Sequence, residues 1–235
     1  MSGILLIDEH PIVLQGMRQM LGDVGANQII DAQTLANGFR LYRAQKPDII
    51  VMDLSMRTNP LGGLSFIRRL RSQDRHTPIL VLTMISDPAI VSRAIEVGAT
   101  GYVLKDAASD EVVEAFQRVR EHRNYLSHEL ATEVAFMAAR GMTNSPLQRM
   151  SVRELQTLVL VAEEKPYRAI ADHLHVSYKT VCNTCRALKT KLNVSTLGEL
   201  KRAAIQYLPS ATVRPAKQVV LPAEVLATAQ LLHRS

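Results

Sequence analysis

A doubly wound α/β domain on a parallel sheet, followed by a small all-α domain, is predicted by three features of the 235-residue sequence. Short apolar runs recur with helix-length spacers between them, each run ends in a charged or hydroxyl residue, and the second half changes to amphipathic helical patterning. The runs are Ile4-Leu5-Leu6-Ile7, Ile49-Ile50-Val51-Met52, Ile79-Leu80-Val81-Leu82 and Tyr102-Val103-Leu104. They are continuous, as expected of strands covered on both faces.

The residues just past each run carry the chemistry. Asp8 and Glu9, Asp53, Thr83 and Lys105 close the four runs in turn. In an open α/β sheet the carboxyl ends of the strands converge on one crevice, so three carboxylates, a hydroxyl and an ammonium are expected in one site. Taken singly, a strand-end Asp or Thr is ordinarily a helix cap or turn former; five such groups in order argue for more. Clustered carboxylates without His or Cys suit a hard cation such as Mg²⁺, which recruits phosphate oxygens. Asp53 can then attack phosphorus as a carboxylate nucleophile while Lys105 and the metal balance the charge and Thr83 hydrogen-bonds a phosphoryl oxygen.

These residues resemble the receiver domain of two-component response regulators, with Asp8-Glu9 as the acidic pair, Asp53 as phosphoacceptor, Thr83 as switch hydroxyl and Lys105 as the family lysine. Gly98-Ala99-Thr100-Gly101-Tyr102 is similar to that family too. The resemblance implies a flavodoxin-like (βα)5 fold with a five-stranded parallel sheet. It also implies Mg²⁺ on Glu9, Asp53 and the Ser55 backbone carbonyl, with Asp8 acting through water. Tyr102 would turn inward as Thr83 moves; from the residues alone it reads equally as a half-buried strand aromatic. The sequence departs from the family after Met56, where Arg57-Thr58-Asn59-Pro60-Leu61-Gly62-Gly63 makes a loop about two residues longer. Asp106 also stands where many receivers have Pro.

Composition fits two modest domains. No apolar run approaches the roughly eighteen residues of a membrane span, and the Ile4–Ile7 run is too short and wrongly flanked for a signal peptide, so a cytoplasmic protein is expected. The net charge of +6 is uneven: residues 1–120 carry 13 acidic and 13 basic side chains, residues 121–235 carry 9 and 15. The whole excess lies in the second half, as a polyanion-binding module would place it.

Along that half, helical patterning runs from about Asp110 to Glu121 and again from His128 to Arg140, and Gly141-Met142-Thr143-Asn144-Ser145-Pro146 reads as a linker. Ser151-Val152-Arg153-Glu154 has capping-box spacing and opens a helix with Leu155, Leu158, Val159 and Ala162 on one face. Pro166 begins the next helix, through Ile170, Ala171 and Leu174. Ser177 caps a third, Tyr178 to Leu192, and Thr196-Leu197-Gly198-Glu199 starts a fourth. Short helices joined by tight turns predict a helix-turn-helix. On the third helix Val181, Cys185, Leu188 and Leu192 form the core face, while Lys179, Asn183, Arg186 and Thr190 gather opposite. Arg suits guanine, Asn adenine and Lys the backbone; a protein-binding helix could carry the same polar face.

Ser177-Tyr178-Lys179-Thr180-Val181, Leu188 and Lys191-Leu192-Asn193-Val194 resemble the recognition helix of LuxR/NarL-type DNA-binding domains, with Arg153-Glu154 and Glu199-Leu200 extending the match. The resemblance implies that Cys182, Asn183 and Arg186 face the groove, that Lys179 contacts the backbone and that the helix after Thr196 supports dimerisation. Cys182 and Thr184 replace the family's frequent Lys and His, so the target sequence cannot be carried over. Cys182-Asn183-Thr184-Cys185 with His173 and His175 could also hold zinc, against which stands the plainer reading of two reduced cysteines in a packed helix.

The expected division is a receiver over 1–122, a helical linker over 123–147, a helix-turn-helix domain over 148–208 and a tail over 209–235, in which Pro222 to His233 could form a short amphipathic helix or a frayed end. The expected function is a DNA-binding response regulator switched by phosphorylation of Asp53, with a histidine kinase or small phosphodonor, double-stranded promoter DNA, a second copy of the chain on DNA and RNA polymerase as partners, and no membrane. It is not expected to be a turnover enzyme. Two other readings stay open: a regulator whose receiver answers to a protein partner without phosphate, and a flavodoxin-like Mg²⁺-dependent phosphatase.

Overall fold

A computed structural model describes residues 3–23, 28–56, 59–139 and 146–208. Strands β1 (Gly3–Ile7), β2 (Gln28–Ala32), β3 (Ile49–Met52), β4 (Ile79–Thr83), β5 (Gly101–Leu104) and β6 (Tyr125–Leu126) form one parallel sheet in the order β2-β1-β3-β4-β5-β6. Leu5, Ile7, Ile50, Met52, Ile79, Val81 and Tyr102 face α2 (Leu35–Gln45), α3 (Gly62–Arg71) and α4 (Pro88–Glu96). Their strand neighbours Ile4, Leu6, Ile49, Val51, Leu80, Leu82 and Val103 face α1 (Pro11–Asp23) and α5 (Ser109–Arg120). With helices on both faces, neither parity can be polar, which is why the central strands read as unbroken apolar runs.

Two strands had no such run to announce them. β2 is an edge strand whose Gln28 is exposed and whose Ile29, Ile30 and Asp31 are only half-buried. β6 has two half-buried residues and adds a sixth strand to the five expected, pairing Tyr125 with Gly101 and Leu126 with Tyr102. Edge strands need less apolar surface, so the pattern that betrays central strands is missing from them.

Helix starts follow local chemistry. Thr34 caps α2 by accepting from Asn37 N at 3.2 Å, and Asp87 caps α4 by accepting from Ala89 N and Ile90 N, with Pro88 in the first turn. Gly63 has a different reason: a Cβ there would lie 2.6 Å from Leu54 Cα and 2.9 Å from the Asp53 carbonyl, so only glycine lets α3 start against the end of β3. The two helices expected after Asp110 are α5 and α6 (His128–Ala139). Residues 140–145, which include most of the expected breaker segment, lie outside the described residues, as do the loop tip at 57–58 and the expected tail helix.

The C-terminal domain consists of α7 (Val152–Ala162), α8 (Tyr167–Leu174), α9 (Tyr178–Lys191) and α10 (Leu197–Tyr207). Both expected capping boxes form, Ser151 with Glu154 and Thr196 with Glu199. Pro166, expected to open α8, stands one position earlier as its N-cap, because its ψ of 149° is extended. Leu155, Leu158, Val159 and Ala162 are buried with Ile170, Leu174, Val181, Cys185, Leu188, Leu200 and Ala204. Even Gln156 and Thr157 of α7 are buried, and the apolar cluster on the α2–α4 side of the sheet continues into this domain. Among the described residues no helix is long and apolar enough to cross a membrane.

Candidate functional site

The order β2-β1-β3 reverses direction at β1, and a crevice opens at the carboxyl ends of β1 and β3. Asp8 follows β1, Asp53 follows β3, Thr83 ends β4 and Lys105 follows β5, which brings all four to that crevice. The Lys105 ammonium lies 2.6 Å from Asp8 Oδ2 and 2.6 Å from Asp53 Oδ2. Asp8 and Asp53 are both buried. Asp53 Oδ1 accepts from Ser55 N at 3.1 Å, and Asp8 Oδ1 accepts from His10 N at 2.9 Å and contacts His10 Nδ1 at 3.0 Å.

Burial raises the Asp53 carboxyl above its ordinary value; Lys105 opposes this and the neighbouring Asp8 adds to it. Burial works against charge on Lys105 too, but Asp53 and then Asp8 outweigh it and hold the ammonium above its usual value. Lys105 is therefore the cation that lets two acidic side chains share a buried site.

Thr83 Oγ1 is buried without a hydrogen-bond partner among the described residues. A buried hydroxyl left unpaired is costly and marks a place where an acceptor would be welcome. Tyr102 is fully buried, and its hydroxyl donates to the Ile85 carbonyl at 2.7 Å, so its inward position is already reached and it is not the half-buried strand aromatic of the plainer reading.

The expected metal set is only partly assembled. Asp8 and Asp53 turn to Lys105, Ser55 reaches Asp53 through its N–H, and Glu9 Oε1 lies to the side, 3.8 Å from His10 Nε2. Among the described residues no three His, Cys, Asp or Glu side chains converge at metal-ligand spacing. The donor chemistry nevertheless fits Mg²⁺: all candidate ligands are oxygens, and three carboxylates against one ammonium leave an excess that a divalent cation would neutralise. Sequence reasoning missed His10, which orients Asp8; its signal was a donor two residues past the strand end.

The second site is on α9. His175, in the left-handed region at φ 52°, ends α8, and Ser177 caps α9 by accepting from Thr180 N at 3.1 Å, which sets the two helices as a helix-turn-helix. Lys179, Asn183, Arg186 and Thr190 are exposed, and Cys182 is half-buried beside them. Among the described residues the Lys179, Asn183 and Arg186 side chains form no hydrogen bond or ion pair, whereas Thr190 Oγ1 donates back to the Arg186 carbonyl at 3.3 Å. Cys185 is buried and burial pushes its thiol up; His173 Nδ1 contacts the Ala169 carbonyl at 2.8 Å. The structure does not bring the two cysteines and two histidines together.

Comparison with known proteins agrees with both sites. A family model for the response regulator receiver domain matches residues 4–117, and one for bacterial regulatory proteins of the luxR family matches residues 148–204. The chain is 37% identical over 205 residues to the methanol utilization control regulatory protein MoxX of Paracoccus denitrificans, covering 87% of this chain and 91% of that one. It is 33% identical over 208 residues to the transcriptional activator protein ExaE of Pseudomonas putida, covering 87% and 96%. Among solved structures, RcsB from Salmonella enterica serovar Typhimurium, bound to promoter rprA in the presence of the phosphomimetic BeF3⁻, aligns with a TM-score of 0.67 at 25% identity, covering 89% of this chain and 98% of that one. The chain belongs to the LuxR family of response regulators, the DNA-binding transcription regulators of two-component systems, with a receiver domain followed by a LuxR-type helix-turn-helix domain.

Proposed function

We propose that Asp53 is the phosphoacceptor of this regulator and that its phosphorylation sets the affinity of α9 for promoter DNA. The observation that carries this is the shared Lys105 ammonium, which links Asp53 to Asp8 beside the unpaired Thr83 hydroxyl. A carboxylate oxygen of Asp53 attacks the phosphorus of a histidine kinase's phosphohistidine or of a small phosphodonor; the bond to the donor breaks, and the acyl phosphate remains on Asp53. Lys105 then offsets charge on the phosphoryl oxygens, and Thr83 donates to one of them. Mg²⁺, when bound, supplies charge neutralisation between the incoming phosphate and the carboxylates. Asp8, Glu9, Asp53 and the Ser55 carbonyl would hold it.

Tyr102 serves as a switch residue by tying β5 to the Ile85 carbonyl just before α4. On α9, Arg186, Asn183, Cys182 and Thr190 face the groove and Lys179 the backbone, with two copies of the chain on paired half-sites of double-stranded promoter DNA and RNA polymerase as the downstream partner. The working division is a receiver over 1–122, a linker over 123–147, the DNA-binding domain over 148–208 and a tail beyond. The protein acts in the cytoplasm as a switch that modifies itself, not as an enzyme turning over an external substrate.

Intact mass after incubation with acetyl phosphate and Mg²⁺, for the native chain and for Asp53→Asn, tests the assignment. One phosphoryl adduct that the variant lacks is expected. An adduct that persists in the variant would move the site elsewhere, and no adduct in either would favour a receiver governed by a protein partner.

A further inference from the structure

Hydrogen bonds join the receiver to the DNA-binding domain at Asn59 and at Arg93, and both residues lie on elements that leave the acidic pocket. The first route runs from β3. Directly after Asp53 the chain closes into a hydrogen-bonded loop: Asn59 N donates to the Met56 carbonyl at 2.9 Å, Gly62 N to the Asn59 carbonyl at 3.0 Å, and Gly63 N to the Leu54 carbonyl at 2.9 Å. Leu61 stands in the left-handed region at φ 52°, a strained setting for a bulky side chain. The loop presents Asn59 Oδ1 to Gln156 Nε2 of α7 at 3.1 Å. This is the segment that departs from the receiver pattern, and Asn59 belongs to its added length.

The second route runs from β4. Beyond Thr83 and the Ile85 carbonyl held by Tyr102, α4 carries Arg93, whose Nη2 donates to the Gln148 carbonyl and, at 2.8 Å, to the Met150 carbonyl. The carbonyl between them, that of Arg149, accepts from Lys191 Nζ at 2.9 Å, and Lys191 is the last residue of α9. One short turn is thus gripped by the receiver on one side and by the recognition helix on the other. Gln156 Oε1 and Arg93 Nε are buried without partners among the described residues, so neither joint is optimised purely for stability.

We propose that Asn59 and Arg93 form a two-point latch that clamps the DNA-binding domain to its own receiver and is released by phosphorylation of Asp53. The release step rests on the assignment of Asp53 as phosphoacceptor. The reading face of α9 is exposed, so the latch does not mask it. It fixes the domain's orientation instead, and two recognition helices must be free to meet half-sites one helical turn apart.

The test uses the full chain, native, Arg93→Ala and Asn59→Ala, with a duplex selected from a random-sequence pool by the native protein. Affinity and amide hydrogen exchange over residues 147–156 are read with and without acetyl phosphate and Mg²⁺. Without phosphodonor, each variant is expected to bind about tenfold more tightly than the native chain, in the usual range of coupling between sites, and to exchange faster there. With phosphodonor the native chain should reach the same affinity and the variants should gain little. Unchanged affinity of the unphosphorylated variants would overturn the latch, and an equal gain by variants and native chain on adding phosphodonor would overturn its release. Should one variant fail to fold by circular dichroism, the other decides. Variants that bind more tightly while intact mass finds no adduct on Asp53 would uphold the clamp and defeat the phosphoacceptor reading.

Discussion

Lys105 decides whether the acidic pocket can exist, because it is the ammonium 2.6 Å from both buried carboxylates. Lys105→Met should leave two unpaired buried acids and lower stability by about 3–5 kcal/mol in urea unfolding at neutral pH; a loss below about 1 kcal/mol would mean the pair is screened by solvent. A second residue effect lies at the far end of α2, where the Tyr42 hydroxyl donates to Asp74 Oδ2 at 2.6 Å. Burial, then the bond to Asp74, pushes Tyr42 up to about 12, while burial of Asp74 is outweighed by donors from Thr77, Tyr42 and the His76 backbone that hold its carboxyl well below the usual range. The Tyr42 contribution is fully present below its unfolded value near 10 and is lost as pH rises through about 12. That of Asp74 is present above about 3.9 and is lost as pH falls. Urea midpoints against pH should therefore drop more steeply on the alkaline side for the native chain than for Tyr42→Phe; parallel curves would refute the Tyr42 assignment. Asp8, Asp53, Thr83 and Lys105 were legible because each closes a run. His10 and Arg93 were not: their partners are set by how a loop turns and how two domains meet.

At the scale of elements, central strands and capped helices were readable because a few neighbouring residues decide them. Ser151 accepts from Glu154 N at 3.2 Å and Glu154 Oε2 accepts from Ser151 N at 2.7 Å, satisfying two donors that would otherwise face the domain boundary. Ser151→Ala should cost about 1 kcal/mol of stability, measured by thermal unfolding of the full chain. Because Lys191 also meets Glu154, at 2.8 Å, the loss should appear as faster hydrogen exchange at the end of α9 as well as at the start of α7. Exchange confined to α7 would show that the pair does not couple the two helices. β2 and β6 escaped notice for the opposite reason: they are held by pairing with β1 and β5, not by apolar surface of their own.

For the whole molecule, charge separates the two halves: the balanced receiver stands against a C-terminal half with six more basic than acidic residues. Arg186→Ala should weaken a specific duplex by about 1–3 kcal/mol and relax base preference, whereas Lys179→Ala should weaken all sequences and reduce the salt slope by about 1. Titrations of both variants across salt concentrations check this, and equal slopes would refute a phosphate role for Lys179. By itself the sequence determined the central strands, the pocket groups at their ends, the capped helices and the outward face of α9, since each depends on periodicity and on residues within a few positions. Only the tertiary structure decided that Lys105 is shared by two carboxylates, that Glu9 stands aside, that Tyr102 is wholly inside, and that Asn59 and Arg93 reach the second domain. The shared lysine and the two domain joints depend on groups from 52 to 97 positions apart meeting in a low-dielectric interior, where packing and charge pairing, not local pattern, choose the partner.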